Sequence, residues 1–288
     1  METEVDQLQN ADEALVFLNK YPLFSETYLQ RSHLPNDSIL VNDLLKLAKD
    51  PYIDTMLADV EKIFGNMAPQ QAQLVDFFKY VKFHYPNFYV PQVMTCISGF
   101  SGDLFVTDSV AVVGLEYFTG PKARYRPPQV PNYILNRLRP ETLAPSIATL
   151  VTDKFNKSEM LDNSQLQEMI KWGKLYYFLE QTMPCLEDSI IAGYSGAEMQ
   201  EIADHKKDIW SHFVERKLFF ETDHFLIKKY CDERPNVLEI SDKCPGRIGR
   251  WLGWQIVKKY MEKELIPLPQ LMAETNAKKI FNIAKYKP

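Results

Sequence analysis

At 288 residues the chain is long enough for one large domain or two small ones, and for a buried core. Hydrophobic residues make up 45% and charged residues 25%, the balance of a globular protein and not of a disordered one. A formal net charge of -5 leaves no global basic field, which argues against nucleic acid as a partner.

The opening text "METEVDQLQNADEALVFLNKYP" is acidic where a secretory leader is basic and then apolar. Two alternatives stay open: a cytoplasmic protein, or one whose leader has been removed. "NDSILVNDLLKLAKDPYIDTMLADVEKIFG" begins at the capping residues Asn36 and Asp37 and spaces its apolar positions by three and four up to Gly65, which predicts helix. "QQAQLVDFFKYVKFHY" repeats that spacing and ends at Pro86. "FYVPQVMTCIS" and "LFVTDSVAVVGLEYF" are rich in β-branched and aromatic residues. With the turn residues "GFSGD" between them, they predict a small antiparallel sheet. From Thr119 the text "TGPKARYRPPQVP" predicts a long ordered surface loop.

Helical patterns follow in "PETLAPSIATLVTDKFNKS", "NSQLQEMIKWGKLYYFLEQTM", "SGAEMQEIADHKKDIWSHFVERKLFF" and "DHFLIKKYCDE". There is no internal repeat, no low-complexity linker, and no run near the roughly 20 apolar residues of a spanning helix. The expected fold class is α+β: a mostly helical single domain over residues 1–288 with a small antiparallel β-sheet. Its parts are helical at 1–85, β-rich at 86–118 and helical at 119–288.

"CPGRIGRWLGWQIVKKYMEK" carries Gly246, Gly249 and Gly253. A dinucleotide fingerprint needs G-x-G-x-x-G between strand and helix, and a P-loop needs G-x-x-x-x-G-K-[ST]; neither spacing is present. Pro245 suits a first helical turn, and Gly249 and Gly253 fall one turn apart, where missing side chains admit a close neighbour. Trp251, Leu252, Trp254, Ile256 and Val257 surround most of the helix with apolar groups, which predicts burial. Pro245, Gly246, Arg247, Gly249, Arg250, Trp251, Gly253 and Trp254 are therefore structural or partner-contact candidates. Arg247 and Arg250 near the helix start are the alternative, an anion site.

In the loop, Lys122, Arg124, Tyr125 and Arg126, close to Tyr117 and Phe118, are contact candidates for an anionic polymer or a protein partner. The other reading is a loop anchored by its aromatics and solvated through its cations. Among the five histidines, His205 and His212 with Asp208 fall at i, i+7 and i+3, so one helix face could present them to a metal beside Glu201 and Asp204. Their spacing lacks a histidine pair one turn apart, so no metal is expected, and no cofactor. Cys96, Cys185, Cys231 and Cys244 form no CxxC pair, and a Cys231–Cys244 disulfide stays open for an oxidising compartment. Ser101 lacks a nucleophile elbow, and Glu187 with Asp188 read more simply as a capping pair than as acid and base. No catalytic residue is assigned.

"PGRIGRWLGWQIVKKYM", "IFNIAKYKP", "VGLEYFTGP", "VPNYILNRLRPETLAP", "GKLYYFLEQTMPCLEDSIIAGYS" and "DIWSHFVERKLFFETDHFLIKKY" together resemble the gliding-motility lipoprotein GldB family of Bacteroidetes. The resemblance covers roughly residues 87–288, and the first 85 residues share only its general character. It implies a periplasm-facing envelope lipoprotein held by a lipid anchor on a cysteine outside this chain, with Met1 standing after a removed leader. The family is similar in turn to predicted zinc proteases with H-E-x-x-H. Here "SIATLVTDKFNKS" puts Thr152, Asp153 and Asn156 where histidine, glutamate and histidine would be, and neither Thr152 nor Asn156 can replace an imidazole as a strong zinc ligand. The resemblance thus implies a degenerate zinc-protease-like scaffold, a pseudo-peptidase. Its partners would be envelope proteins of the motility or associated secretion machinery. The alternative is a metal-dependent, peptidase-like hydrolase whose site follows no known motif.

Overall fold

Capping side chains set several of the helix starts in the computed structural model, which describes residues 2–288. α1 (Glu2–Val5) precedes α2 (Ala11–Lys20), where the Asn10 side chain accepts the Glu13 amide. The helical text from Asn36 to Gly65 is two helices, α3 (Ser38–Ala48) and α4 (Pro51–Phe64). The break is local: the Asp50 carboxylate accepts the Tyr52 amide at 2.9 Å, and Pro51, with no amide proton, takes the first helical position. Gly65 ends α4 at φ 53°. α5 (Ala68–His84) stops before Pro86.

β1 (Gln92–Cys96), β2 (Leu104–Val106) and β3 (Val110–Gly114) form a sheet in the order β1-β3-β2. This corrects the antiparallel expectation, because the sheet is mixed. β2 runs antiparallel to β3 through a tight hairpin whose Thr107 hydroxyl accepts the Val110 amide, whereas β1 runs parallel to β3 with Gln92 opposite Val110. Burial explains the order. Val110 to Val113 are at most 1% exposed, so this uniformly apolar strand takes the centre and the two strands before it take its edges. An up-down-up chain with its last strand in the middle makes its outer up strand parallel to the centre. Against the sheet, Leu18, Phe24, Val41 and Leu44 join Met94, Cys96, Val110 and Val112 in one apolar cluster.

An irregular loop over residues 119–131 leads to α6 (Asn132–Leu135) and α7 (Pro140–Asp153). The remaining helices are α8 (Gln165–Thr182), α9 (Asp188–Ala192), α10 (Gly196–Asp204), α11 (Lys206–Glu215), α12 (His224–Cys231), α13 (Ile248–Glu264), α14 (Leu268–Ala273) and α15 (Ala277–Ala284). Contacts group the chain into two compact units, residues 1–75 with 87–147, and residues 76–86 with 148–288. The architecture is the expected mostly helical α+β class. No helix among the described residues is long and apolar enough to cross a membrane.

The second unit is built on the crossing of α8 and α13. A Cβ added at Gly253 would fall on the Met169 carbonyl, and one at Gly173 on the Gly253 carbonyl, so the two backbones touch. Trp254, Leu252, Ile256 and Val257 are fully buried around that contact. Trp254 meets Tyr176 edge-on, with ring centroids 5.6 Å apart, and donates its indole N–H to Glu180 at 3.0 Å.

Candidate functional site

The segment from Pro245 to Trp254 is buried throughout. Pro245 is not in the first helical turn, as its residue type suggested. It forms an isolated antiparallel bridge with Asn236, and the Gly246 amide donates to the Pro235 carbonyl at 3.2 Å. These bonds hold the chain extended until Arg247, at φ 62°, turns it into α13. Gly249 packs against α12, where a Cβ would stand 2.8 Å from the Cys231 sulfur. The two arginines face inward. Arg247 donates to the Gly193 carbonyl at 2.8 Å and lies over the Tyr194 ring. Arg250 donates to the Cys231 carbonyl and stacks on Trp172, its guanidinium carbon 3.7 Å from the ring centroid. Each binds a carbonyl and an aromatic face, where an anion site would leave these donors free.

His205, Asp208 and His212 do not share one helix. The chain breaks at His205, which closes α10 at φ -110° and stands immediately before α11. The exposed His205 imidazole meets Asp208 at 3.0 Å and Glu201 at 3.5 Å, and the Asp208 hydrogen bond holds it above its ordinary pKa. His212 turns to the Tyr230 hydroxyl at 2.9 Å, and burial holds it below its ordinary value. Among the described residues, no three His, Cys, Asp or Glu side chains are arranged to hold a metal ion.

Thr152 and Asn156 are tied to backbone. Thr152 donates to the Ala148 carbonyl at 2.7 Å, and Asn156 to the Lys171 carbonyl at 2.8 Å. α7 ends at Asp153, so Asn156 lies past the helix and one-turn spacing to Thr152 is lost. Ser101 donates to the Ser98 carbonyl within its turn. Asp188 pairs with Lys258 at 3.2 Å at the start of α9.

All four cysteines are free thiols, which corrects the disulfide alternative. Cys231 accepts from the Gln165 amide at 3.1 Å, while Cys244 lines a different cleft with Glu201, His205 and Asp208. Burial raises both thiols, Cys244 up to about 12. Native protein treated with Ellman's reagent should therefore titrate quickly at the exposed Cys185 alone, with Cys96, Cys231 and Cys244 reacting only on unfolding. Rapid reaction of a second thiol would contradict this packing.

In the first unit the loop candidates surround a feature the sequence reading missed, Glu116. This carboxylate is 2% exposed. Its Oε1 accepts the Ser98 hydroxyl at 2.6 Å and the amides of Ser98 and Phe100 at 2.8 and 3.1 Å. Its Oε2 has no partner. Those bonds hold Phe100 at φ 64°, a conformation uncommon for a side-chain-bearing residue. Tyr117 belongs to a 3-10 turn after β3, not to the sheet, and donates to the Phe100 carbonyl at 2.6 Å. Phe118 in the same turn is buried. Tyr125 meets Tyr52 edge-on at 5.8 Å, and the Arg124 guanidinium stands 3.9 Å from Asp59. Lys122, Arg124 and Arg126 are exposed. The available signal was a lone acid inside the apolar run "VAVVGLEYF".

A family model described as "Gliding motility protein GldB" matches residues 1–288, so the likeness extends over the first 85 residues as well. No curated protein and no solved structure matches the chain.

Proposed function

The chain belongs to the GldB gliding-motility family, and from that premise we propose that it is a non-enzymatic, periplasm-facing envelope lipoprotein that supports the motility or associated secretion machinery through protein–protein contacts. The carrying observation is that the family match runs through the whole chain, N-terminal helices included. The family's association with lipoproteins supports attachment to a membrane by a lipid. Geometry adds two supports. Thr152 and Asn156, which the resemblance sets against the zinc-holding positions of predicted proteases, are bonded to main-chain carbonyls. The loop carrying Lys122, Arg124 and Arg126 is anchored through Tyr125 and displays its cations outward.

Reversing those three charges to glutamate should move the unfolding midpoint little, by less than about 0.5 kcal/mol, because exposed pairs such as Arg124 with Asp59 contribute weakly. In cells the same variant should lose gliding and lose crosslinks from a photo-reactive residue placed at position 122. A variant that still glides and crosslinks normally would remove this loop from the contact surface.

A further inference from the structure

Met160 and Leu161, 95% and 92% exposed, stand together at the tip of the connection between α7 and α8. Both ends of that connection are fixed. The Lys157 amide donates to the Met272 carbonyl at 2.9 Å, and the Ser164 amide to Asp162 at 3.0 Å before the Ser164 side chain caps α8. Two acids, Glu159 and Asp162, flank the apolar pair. The connection ends at an open cavity: the Gln165 amide donates at 2.8 Å to the carbonyl of Glu221, which with Val214, Lys217, Phe219, Phe220 and Phe281 lines a volume of about 540 Å³. Val214 and Phe220 are half-exposed on its wall, so the chain does not fill it. Its charges run the other way from those of the loop tip. Lys217 follows α11 at φ 55°, where a helix end favours glycine, and has no acidic partner among the described residues. Lys278 precedes Phe281 by about one turn and Lys285 follows it by about one turn. Glu221, the acid in the lining, directs Oε1 to the Thr222 and Asp223 amides at 2.8 and 3.0 Å. An apolar tip with acidic flanks therefore stands beside an apolar cavity with cations around it.

We propose that this face joins two copies of the chain about a two-fold axis: Met160 and Leu161 of each copy enter the cavity of the other, where Glu159 and Asp162 meet Lys217 and the lysines beside Phe281. Cavities of this size accept groups as large as two side chains, and Phe219 against Phe281, with ring centroids 4.9 Å apart, gives a preformed wall. Neighbouring features on one surface exchange reciprocally under two-fold rotation, so the contact closes at a dimer. Charge pairing at its edge fixes which way round the copies meet. The contact lies in the second unit and is separate from the loop carrying Lys122.

The test is sedimentation velocity on the full chain from about 1 to 100 µM, a range that brackets a dimer of micromolar affinity. A reversible monomer–dimer equilibrium is expected. Met160→Ser combined with Leu161→Ser should weaken the dimer at least tenfold. Both positions are exposed, so the fold is kept, and circular dichroism at 222 nm checks that it is. Lys217→Glu should weaken the dimer several-fold, and Glu159→Lys added to it should restore most of the loss, which a purely apolar contact would not do. A chain that stays monomeric throughout the range would overturn the proposal, as would a dimer that persists in the double serine variant. Growth beyond the dimer would overturn the two-fold closure. A loss at Lys217→Glu that Glu159→Lys leaves unrepaired would overturn the assigned pairing.

Discussion

Gly253→Ala is expected to destabilise the protein by about 2–3 kcal/mol, although alanine is the better helix former by about 1 kcal/mol in an ordinary helix interior. The added methyl would fall on the Met169 carbonyl, which belongs to a helix backbone and cannot rotate away. α8 and α13 would have to separate, loosening Trp254 against Tyr176 and stretching its 3.0 Å bond to Glu180. Steric cost therefore exceeds the gain in propensity. Gly196→Ala is the matched control, because a Cβ there meets nothing within 4 Å, and it should change stability by only a few tenths of a kcal/mol. Urea unfolding followed by circular dichroism at 222 nm separates the two. Coincident midpoints for Gly253→Ala and wild type would mean that the helices do not cross at touching backbones.

Lys174→Met should cost still more, roughly 3–5 kcal/mol at pH 7, because it deletes the donor shared by three main-chain carbonyls. Lys174 is 2% exposed. Its ammonium donates to the carbonyls of Lys157, of Met272 at 3.3 Å and of Glu274 at 2.8 Å, which ties the chain after α7 and the end of α14 to the middle of α8. Methionine fills the space but removes that donor from the Lys157 and Glu274 carbonyls, while the Met272 carbonyl keeps only the Lys157 amide at 2.9 Å.

The pH dependence has a definite sign. Burial pushes the ammonium down to about 8, with the Glu274 carboxylate opposing the shift. Between about pH 8 and the ordinary lysine value near 10.4, the unfolded chain holds this proton more tightly than the folded chain does. Stability contributed by Lys174 therefore rises with pH across that window. Measured as the difference from Lys174→Met, which cancels the other titrating groups, the gap should widen by an amount on the order of 2 kcal/mol between pH 8 and 10.5. A gap that stays constant would mean that the folded-state pKa is not depressed.

How far the sequence could be read varied with the range of the interaction. Asp50 and Pro51 carried the signal for the split between α3 and α4, since capping acts over two or three residues, yet the apolar spacing ran through them and masked it. Burial along α13 was legible because Trp251, Leu252, Trp254, Ile256 and Val257 leave no polar face. Arg247 and Arg250 were not legible as inward-facing groups, because their partners, Gly193 and Cys231, are brought to them by α9 and α12. Placing His205 and His212 on one face failed because a continuous helix was assumed across the hinge at His205. Glu116 was missed for a like reason: one acid in an apolar run says nothing about which turn will wrap it.

By itself, then, the sequence determined the helix-rich α+β class, the helix ends at Gly65 and before Pro86, the burial of α13 and the family resemblance, all of which rest on local pattern or on sequence directly. Tertiary structure alone decided the strand order, the mixed sheet, the direction of the buried arginines, the free state of Cys231 and Cys244, and the half-satisfied carboxylate at Glu116. Each of those depends on which distant segments meet, and that is settled by how apolar surfaces pack and by which buried polar groups find partners, not by the spacing of residues along the chain.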